Sequence, residues 1–482
     1  MADTSIATAP KVRVLAVDCG VRPMHLRLPF KFGAATLTRC PQLFVRAVVD
    51  CGPQGTTTGW AAEMMVPRWF DKRSGPSHAG NVRDLQLAVA AAADAYTHSA
   101  AQPAFGLFER HYAELMAEGA FRDSTELSTA YGQAVLDRAV LDALCRATRS
   151  SVYGAIQRNL VGFTDTAIAA DMADWDWSNW LGTLVPSTTL HARHTIGMLD
   201  ALDDDGLAGD PAALPVGLPA IVRRYGHRHF KIKLGGDVAT DLARLDAVLA
   251  TLDAVQPGHC FTLDGNEQYP GTDALAALCE GLRAMPRFAA RPDTLLYIEQ
   301  PLARDASLEA DLASLDSPAP LLLDEADGSL DAFPAGRKAG WRGVSSKGCK
   351  GLYKAIINRA RCDKWNAHAP EGPRYFMSAE DLTCQAGLAV QQDLALAALL
   401  GLSHCERNGH HYVDGFGDAP EQEQIAFAVA HMGLYEASSG RARLAIQDGR
   451  IAIGSLARTG FASSAIPDFD SLRPLADAPL LV

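Results

Sequence analysis

Seven strand-like segments, each ending in a lysine or a carboxylate, recur at intervals of 23 to 35 residues and close at Lys233, Asp264, Glu299, Asp324, Lys347, Glu380 and Glu406. Each interval holds one strand, one helix and their connections, which is the content of a βα unit. With Thr-Leu-His-Ala-Arg-His-Thr-Ile-Gly at 189–197 as a first strand the count is eight. Eight units closing on themselves form a (β/α)8 barrel, and that closure brings strand ends far apart in sequence to one rim.

The strand ends carry reactive groups. In His-Phe-Lys-Ile-Lys-Leu-Gly-Gly at 229–236, alternation puts Lys231 and Lys233 on one face. Two neighbouring ammonium groups repel, which eases loss of a proton from one of them. Asp264, Glu299 and Asp324 end the next three strands. Three carboxylates converging beside two lysines are poorly tolerated without a cation, and oxygen ligands suit one Mg²⁺ ion. Asp324 and Glu325 compete for the third ligand position; alternation puts only one of them inward, and Asp324 is the favoured one.

The rest of the chain falls into three parts. Residues 1–130 are expected to form an α+β domain: β-like runs from Val12 to Met65, joined by the Gly/Pro-containing turn at 52–58, then Ala-rich helical sequence. A stretch from Leu127 to about Leu160 carries helix-period apolar positions, and the barrel is expected over 131–424 with a Gly/Pro-rich connection at 206–219. Residues 425–482 contain Ala-Arg-Leu-Ala-Ile-Gln-Asp-Gly-Arg-Ile-Ala-Ile, read as a hairpin with an Asp-Gly turn. With no barrel slot left, that hairpin is expected to return to the first domain. The segment 171–181 holds three of the seven tryptophans and reads as a packed loop or subunit contact, with a substrate lid as the alternative.

The net charge of −12 argues against nucleic-acid or anionic-membrane partners, which reward a basic surface. No segment approaches the roughly 20 apolar residues of a membrane helix, and the N-terminus lacks the features of a secretion signal, so a cytoplasmic location is expected. The ten cysteines include no Cys-x-x-Cys pair, and neither Gly-x-Gly-x-x-Gly nor a phosphate loop is found.

Lys-Ile-Lys at 231–233, Asp-Gly-Asn at 264–266, Ile-Glu-Gln-Pro at 298–301 and Asp-Glu at 324–325 together resemble the mandelate racemase and muconate lactonizing branch of the enolase superfamily. The resemblance runs from about Pro29 to Gly449. It implies a modified TIM barrel under an N-terminal α+β capping domain that the C-terminal segment completes. It also implies abstraction of the proton α to a carboxylate, with Mg²⁺ stabilising the enediolate, a chemistry for which the superfamily is a standard example.

By position, Asp264, Glu299 and Asp324 correspond to metal ligands, Lys233 to a base and Lys231 to its neighbour that orients substrate. Asn266 corresponds to a supporting group at the metal. Lys347 lies where the muconate lactonizing branch has a second lysine, with Lys350 as the alternative, and Glu406 resembles a strand-eight glutamate that contacts the substrate carboxylate. Glu380, in Met-Ser-Ala-Glu, stands where the mandelate racemase branch has its histidine base. His410 and His411 are further candidate substrate contacts.

The implied function is a racemase, epimerase or dehydratase of a hydroxy acid, sugar acid or related carboxylate, in a homo-oligomer. A cycloisomerase, a Schiff-base aldolase acting through Lys347 and a silent binding barrel are the competing readings.

Overall fold

The computed structural model describes residues 9–204, 214–382, 385–438 and 440–482. The part of the expected 206–219 connection up to residue 213 lies outside the described residues.

The chain begins with three long antiparallel strands, β1 (Arg13–Phe32), β2 (Ala35–Asp50) and β3 (Thr56–Met64). Three helices cover this sheet: α1 (His78–Thr97), α2 (Ala104–Phe121) and α3 (Glu126–Ala147). α3 starts where the Thr125 hydroxyl accepts a hydrogen bond from the Ser128 N–H, with Glu126 in the first turn favouring the helix dipole. It is buried from Leu127 to Cys145 because β2 and β3 pack on one side and α1 and α2 on the other. The helix expected to reach about Leu160 breaks after Ala147: Arg149 adopts φ of 50°, and a second short helix, Val152–Gln157, starts on a Ser151 cap. The division drawn at residue 130 passes through α3.

Eight parallel strands then close into a barrel: β4 (Thr189–Ile196), β5 (His229–Lys233), β6 (Cys260–Asp264), β7 (Leu295–Glu299), β8 (Leu321–Leu323), β9 (Gly343–Ser346), β10 (Phe376–Ala379) and β11 (His404–Glu406). β11 pairs back onto β4, with Glu406 opposite Arg193. Lys233, Asp264 and Glu299 are direct register neighbours across β5, β6 and β7, so these three groups reach the same rim together. The helix after β5 buries one apolar stripe, Leu245, Val248, Leu249 and Leu252, whereas Leu388–Leu399 is buried at every position.

The C-terminal segment corrects one expectation. Asp448 and Gly449 do form a tight turn, both at positive φ, between Gln447 and Arg450. The strand after it, Arg450–Ala452, pairs antiparallel with β4 of the barrel instead of returning to the first domain. The outer edge of β4 near its start is open beside the closed ring and takes this extra strand. What does return is the chain end: Arg473–Pro474 pairs with β1, and Leu475–Leu481 packs on α1 and β1. A buried bidentate ion pair from Arg22 on β1 to Glu423, at 2.9 and 2.7 Å, ties the helix Glu421–Ala430 to the capping sheet.

The tryptophan-rich segment is packed. Trp177 stacks on Phe163 at 5.0 Å, and the Trp180 indole donates to Asp363 at 3.0 Å, against the helix Leu352–His368.

β3 lies hard against α3. A Cβ at Gly59 would collide with the Ala139 carbonyl and the Ala143 nitrogen, both backbone atoms in a helix that cannot yield locally. Gly59→Ala is expected to lower unfolding free energy by about 1–3 kcal/mol in urea titration, and an unchanged midpoint would contradict this close approach.

Candidate active site

Lys231 stands at the centre of the barrel mouth. Its Nζ lies 2.9 Å from Glu380 Oε2, 2.9 Å from Glu406 Oε2, 2.8 Å from Asp264 Oδ2 and 2.9 Å from Glu299 Oε1. Burial works against the charge, but these carboxylates outweigh it and hold the ammonium well above the ordinary lysine range.

The four carboxylates differ in their other partners. Asp264 is shared with Lys233 at 2.5 Å. Glu380 is paired with Arg193 of β4 and accepts from the Tyr297 hydroxyl at 2.8 Å. Glu406 accepts from Thr195 at 2.5 Å, from Asn408 at 2.8 Å and from the Asp381 N–H at 3.1 Å. Among the described residues Glu299 has only the shared ammonium: its Oε2, 2.8 Å from Lys231, accepts no aligned hydrogen bond. Burial, then the charges of Asp264, Glu380 and Asp324, push the Glu299 carboxyl well above the carboxylate range.

Glu299 is therefore the carboxyl of this rim that is hardest to ionise without a cation beside it. Asp264, Glu299 and Asp324 are fully buried at the ends of three consecutive strands, and Glu299 Oε2 is buried without a hydrogen-bond partner among the described residues. This donor set, all hard oxygen, fits a divalent cation such as Mg²⁺.

Asp324 meets Lys347 at 2.6 Å and the Ser345 hydroxyl, and it is held well below the carboxylate range by Lys347, Lys350 and Lys231 against the burial that opposes it. Glu325 points elsewhere, to the Asn266 amide at 3.0 Å and to Lys72 of the capping domain at 2.7 Å. Lys347 and Lys350 also separate. Lys347 lines the cavity under the cap, 4.2 Å from the Trp69 ring centroid, and Asp324 holds it above the lysine range. Lys350 is turned behind it, onto the Asp324 carbonyl at 3.0 Å, the Ser345 hydroxyl at 2.8 Å and Asp327 at 2.8 Å.

The cavity is small, about 40 Å³, and closed from above by Phe30, Phe32, Leu37, Val66 and Trp69 of the capping domain. Lys231, Lys233, Asn266, Lys347 and Glu406 form its floor. Glu380 lies beneath that floor. His410 and His411, expected near substrate, are not brought to the cavity: Asn408 lines it, and the chain then turns away into Gly409–Tyr412.

Sequence reasoning missed Arg193, Thr195, Tyr297 and Lys72. The first two were available from alternation, since Arg193 and Thr195 lie one strand period apart and both face inward. Lys72 comes from a loop with no regular pattern and was not.

Residues 218–344, spanning β5 to β9, match the enolase C-terminal domain-like family. The chain carries an enolase-superfamily fold. It resembles mandelate racemases and muconate lactonizing enzymes of that superfamily across nearly its whole length. A Mycobacterium smegmatis enolase complexed with tartrate is 15% identical at a TM-score of 0.61, with 98% of this chain and 92% of that one covered. A Bradyrhizobium enolase complexed with magnesium and mandelic acid is 17% identical at 0.56, covering 94% and 97%. Muconate lactonizing enzyme from Pseudomonas fluorescens, complexed with muconolactone, is 15% identical at 0.57, covering 94% and 96%. Among curated protein sequences none matches. At these identities the superfamily likeness is one of fold.

Removing the central ammonium leaves four buried carboxylates facing one another. In chelator-treated protein, Lys231→Met is expected to cost roughly 3–5 kcal/mol of stability in denaturant, and a loss below about 1 kcal/mol would show that the charge is not held as described.

Proposed function

We propose that the protein is a divalent-cation-dependent enzyme that removes the proton from the carbon next to a carboxylate, as a racemase, epimerase or dehydratase. The observation that carries this reading is the placement of Lys233 and Lys347. Lys233 ends β5 and Lys347 directly follows β9, two strands that lie four apart in a closed ring of eight, and both lysines line one cavity. Between them, on β6, β7 and β8, come Asp264, Glu299 and Asp324.

Asp264, Glu299 and Asp324 would hold Mg²⁺, which when bound supplies positive charge to the substrate's carboxylate oxygens as the neighbouring carbon loses its proton. Lys231, held charged by its four carboxylates, fixes the orientation of the anionic group. Lys233 receives the proton as the carbon–hydrogen bond breaks, and the electron pair passes into the carboxylate. Lys347, held charged by Asp324, is the proton donor on the opposite face. Return of a proton there inverts the centre, whereas expulsion of a β-hydroxyl gives dehydration.

The roof of Phe30, Phe32, Leu37, Val66 and Trp69 excludes water and offers few polar partners. That lining favours a compact hydroxy acid with an apolar substituent over a sugar acid. A lactone-forming cycloisomerase passes through a related enolate, made by adding a carboxylate to a double bond and then protonated at the α-carbon, and the lysine at β9 is the feature that keeps it as the second reading.

Mass-spectrometric α-hydrogen exchange in D₂O, over pooled hydroxy acids and sugar acids, tests this. Exchange is expected with Mg²⁺ and not with EDTA, and Lys233→Ala is expected to reduce it by about 10²–10⁴-fold while Mg²⁺ affinity stays within a few fold. Exchange that survives EDTA, or full activity in Lys233→Ala, would overturn the proposal. Asp264→Asn is expected to weaken Mg²⁺ binding by calorimetry, and unchanged affinity would remove Asp264 from the ligand set.

A further inference from the structure

Behind the barrel wall, histidines gather at the seam where the ring closes. Arg193 and Thr195 of β4 point inward to Glu380 and Glu406, so His194 between them points outward. His227 precedes β5, the next strand, and His410 lies in the turn after β11, the strand that closes onto β4. All three are buried, at 1%, 0% and 5% exposure. His410 Nε2 is 3.1 Å from His194 Nδ1 and 3.0 Å from His227 Nε2, and the three nitrogens lie within 4.8 Å of one another. Among the described residues this is the tightest convergence of metal-ligating atoms.

Hydrogen bonding alone does not satisfy this arrangement. His227 Nδ1 lies 3.2 Å from the Ala192 carbonyl, which can only accept, so that nitrogen carries the proton and Nε2 presents a bare lone pair. If His410 Nε2 carries a proton, it must divide it between two lone pairs. If it does not, it faces the His227 lone pair directly. Burial, reinforced by the neighbouring histidines, holds the His194 and His410 rings neutral, which is the ligating form.

We infer that His194, His227 and His410 form a second metal site, for a transition-metal dication of the Zn²⁺ type. Three imidazoles select such an ion over Mg²⁺. At a Zn–N distance near 2.0–2.1 Å, neighbouring nitrogens of a tetrahedral site stand about 3.3 Å apart, close to the two separations seen. The His227 Nδ1–H bond to a backbone carbonyl is the second contact that fixes a ligating histidine's tautomer. The ion would staple the turn after β11 to the outside of β4. It thereby positions Asn408, two residues from His410, which donates to Glu406 and accepts from the Thr195 N–H at 3.3 Å. The inference does not rest on the proposed reaction.

The test is titration of chelator-stripped, full-length protein with Co²⁺ in saturating Mg²⁺, which occupies the carboxylate site. The expected result is one equivalent bound with the visible absorption of tetrahedral, nitrogen-ligated Co²⁺, displaced by Zn²⁺. His227→Gln and His410→Gln, checked for folding by circular dichroism, should each weaken it at least tenfold, and Asp264→Asn should not. No Co²⁺ binding, or binding that the histidine variants keep and Asp264→Asn loses, would overturn the site. Where a variant fails to fold, zinc-edge X-ray absorption of the wild-type protein decides: an imidazole shell supports the site, and an oxygen-only shell refutes it.

Discussion

Everything at the mouth of this barrel is arranged around a charge imbalance that one lysine cannot cancel. Lys231 stands among Asp264, Glu299, Glu380 and Glu406, all buried. Desolvating so many ions is costly, and each survives only where it has a close partner of opposite sign. Arg193 takes part of Glu380, Lys233 part of Asp264, and hydroxyl and amide groups satisfy Glu406. Among the described residues Glu299 has only the shared Lys231 ammonium, and its acidic neighbours favour a proton there, which a bound cation would displace.

The barrel's closure gives this imbalance its chemical direction. Carboxylates occupy three neighbouring strands, amines flank them on the strands to either side, and the capping domain seals the space above with Phe30 and Trp69. The cap is held in register by buried polar contacts as well as apolar packing. The Gln392 amide of the barrel donates to the Trp60 carbonyl of β3 at 2.8 Å, and Lys72 of the cap donates to Glu325 at 2.7 Å. A side chain at Gly348 would press on Arg138 and Glu63, so the loop carrying Lys347 owes its position to the capping domain.

Much of this was legible in the sequence for a specific reason. The strand-end spacing is fixed by the βα unit, and alternation fixes which residues face inward, so Lys231, Lys233, Asp264, Glu299 and Lys347 could be placed on one rim without coordinates. What failed depended on partners that local pattern does not encode. The Asp448-Gly449 turn was readable, yet nothing in it says which sheet edge receives Arg450–Ala452. His410 and His411 follow a rim strand closely, but the chain reverses at Asn408 and buries them with His194 and His227. Lys72 reaches Glu325 from 253 positions away through an irregular loop.

The central claim is that Asp264, Glu299 and Asp324 hold a divalent cation. Anomalous diffraction from crystals soaked in Mn²⁺, standing in for Mg²⁺, tests it directly. The account predicts one peak bounded by oxygens of those three carboxylates, with Lys231 withdrawn from Glu299. A rim without a peak, with Lys231 still seated among its four carboxylates and manganese bound elsewhere, would contradict it.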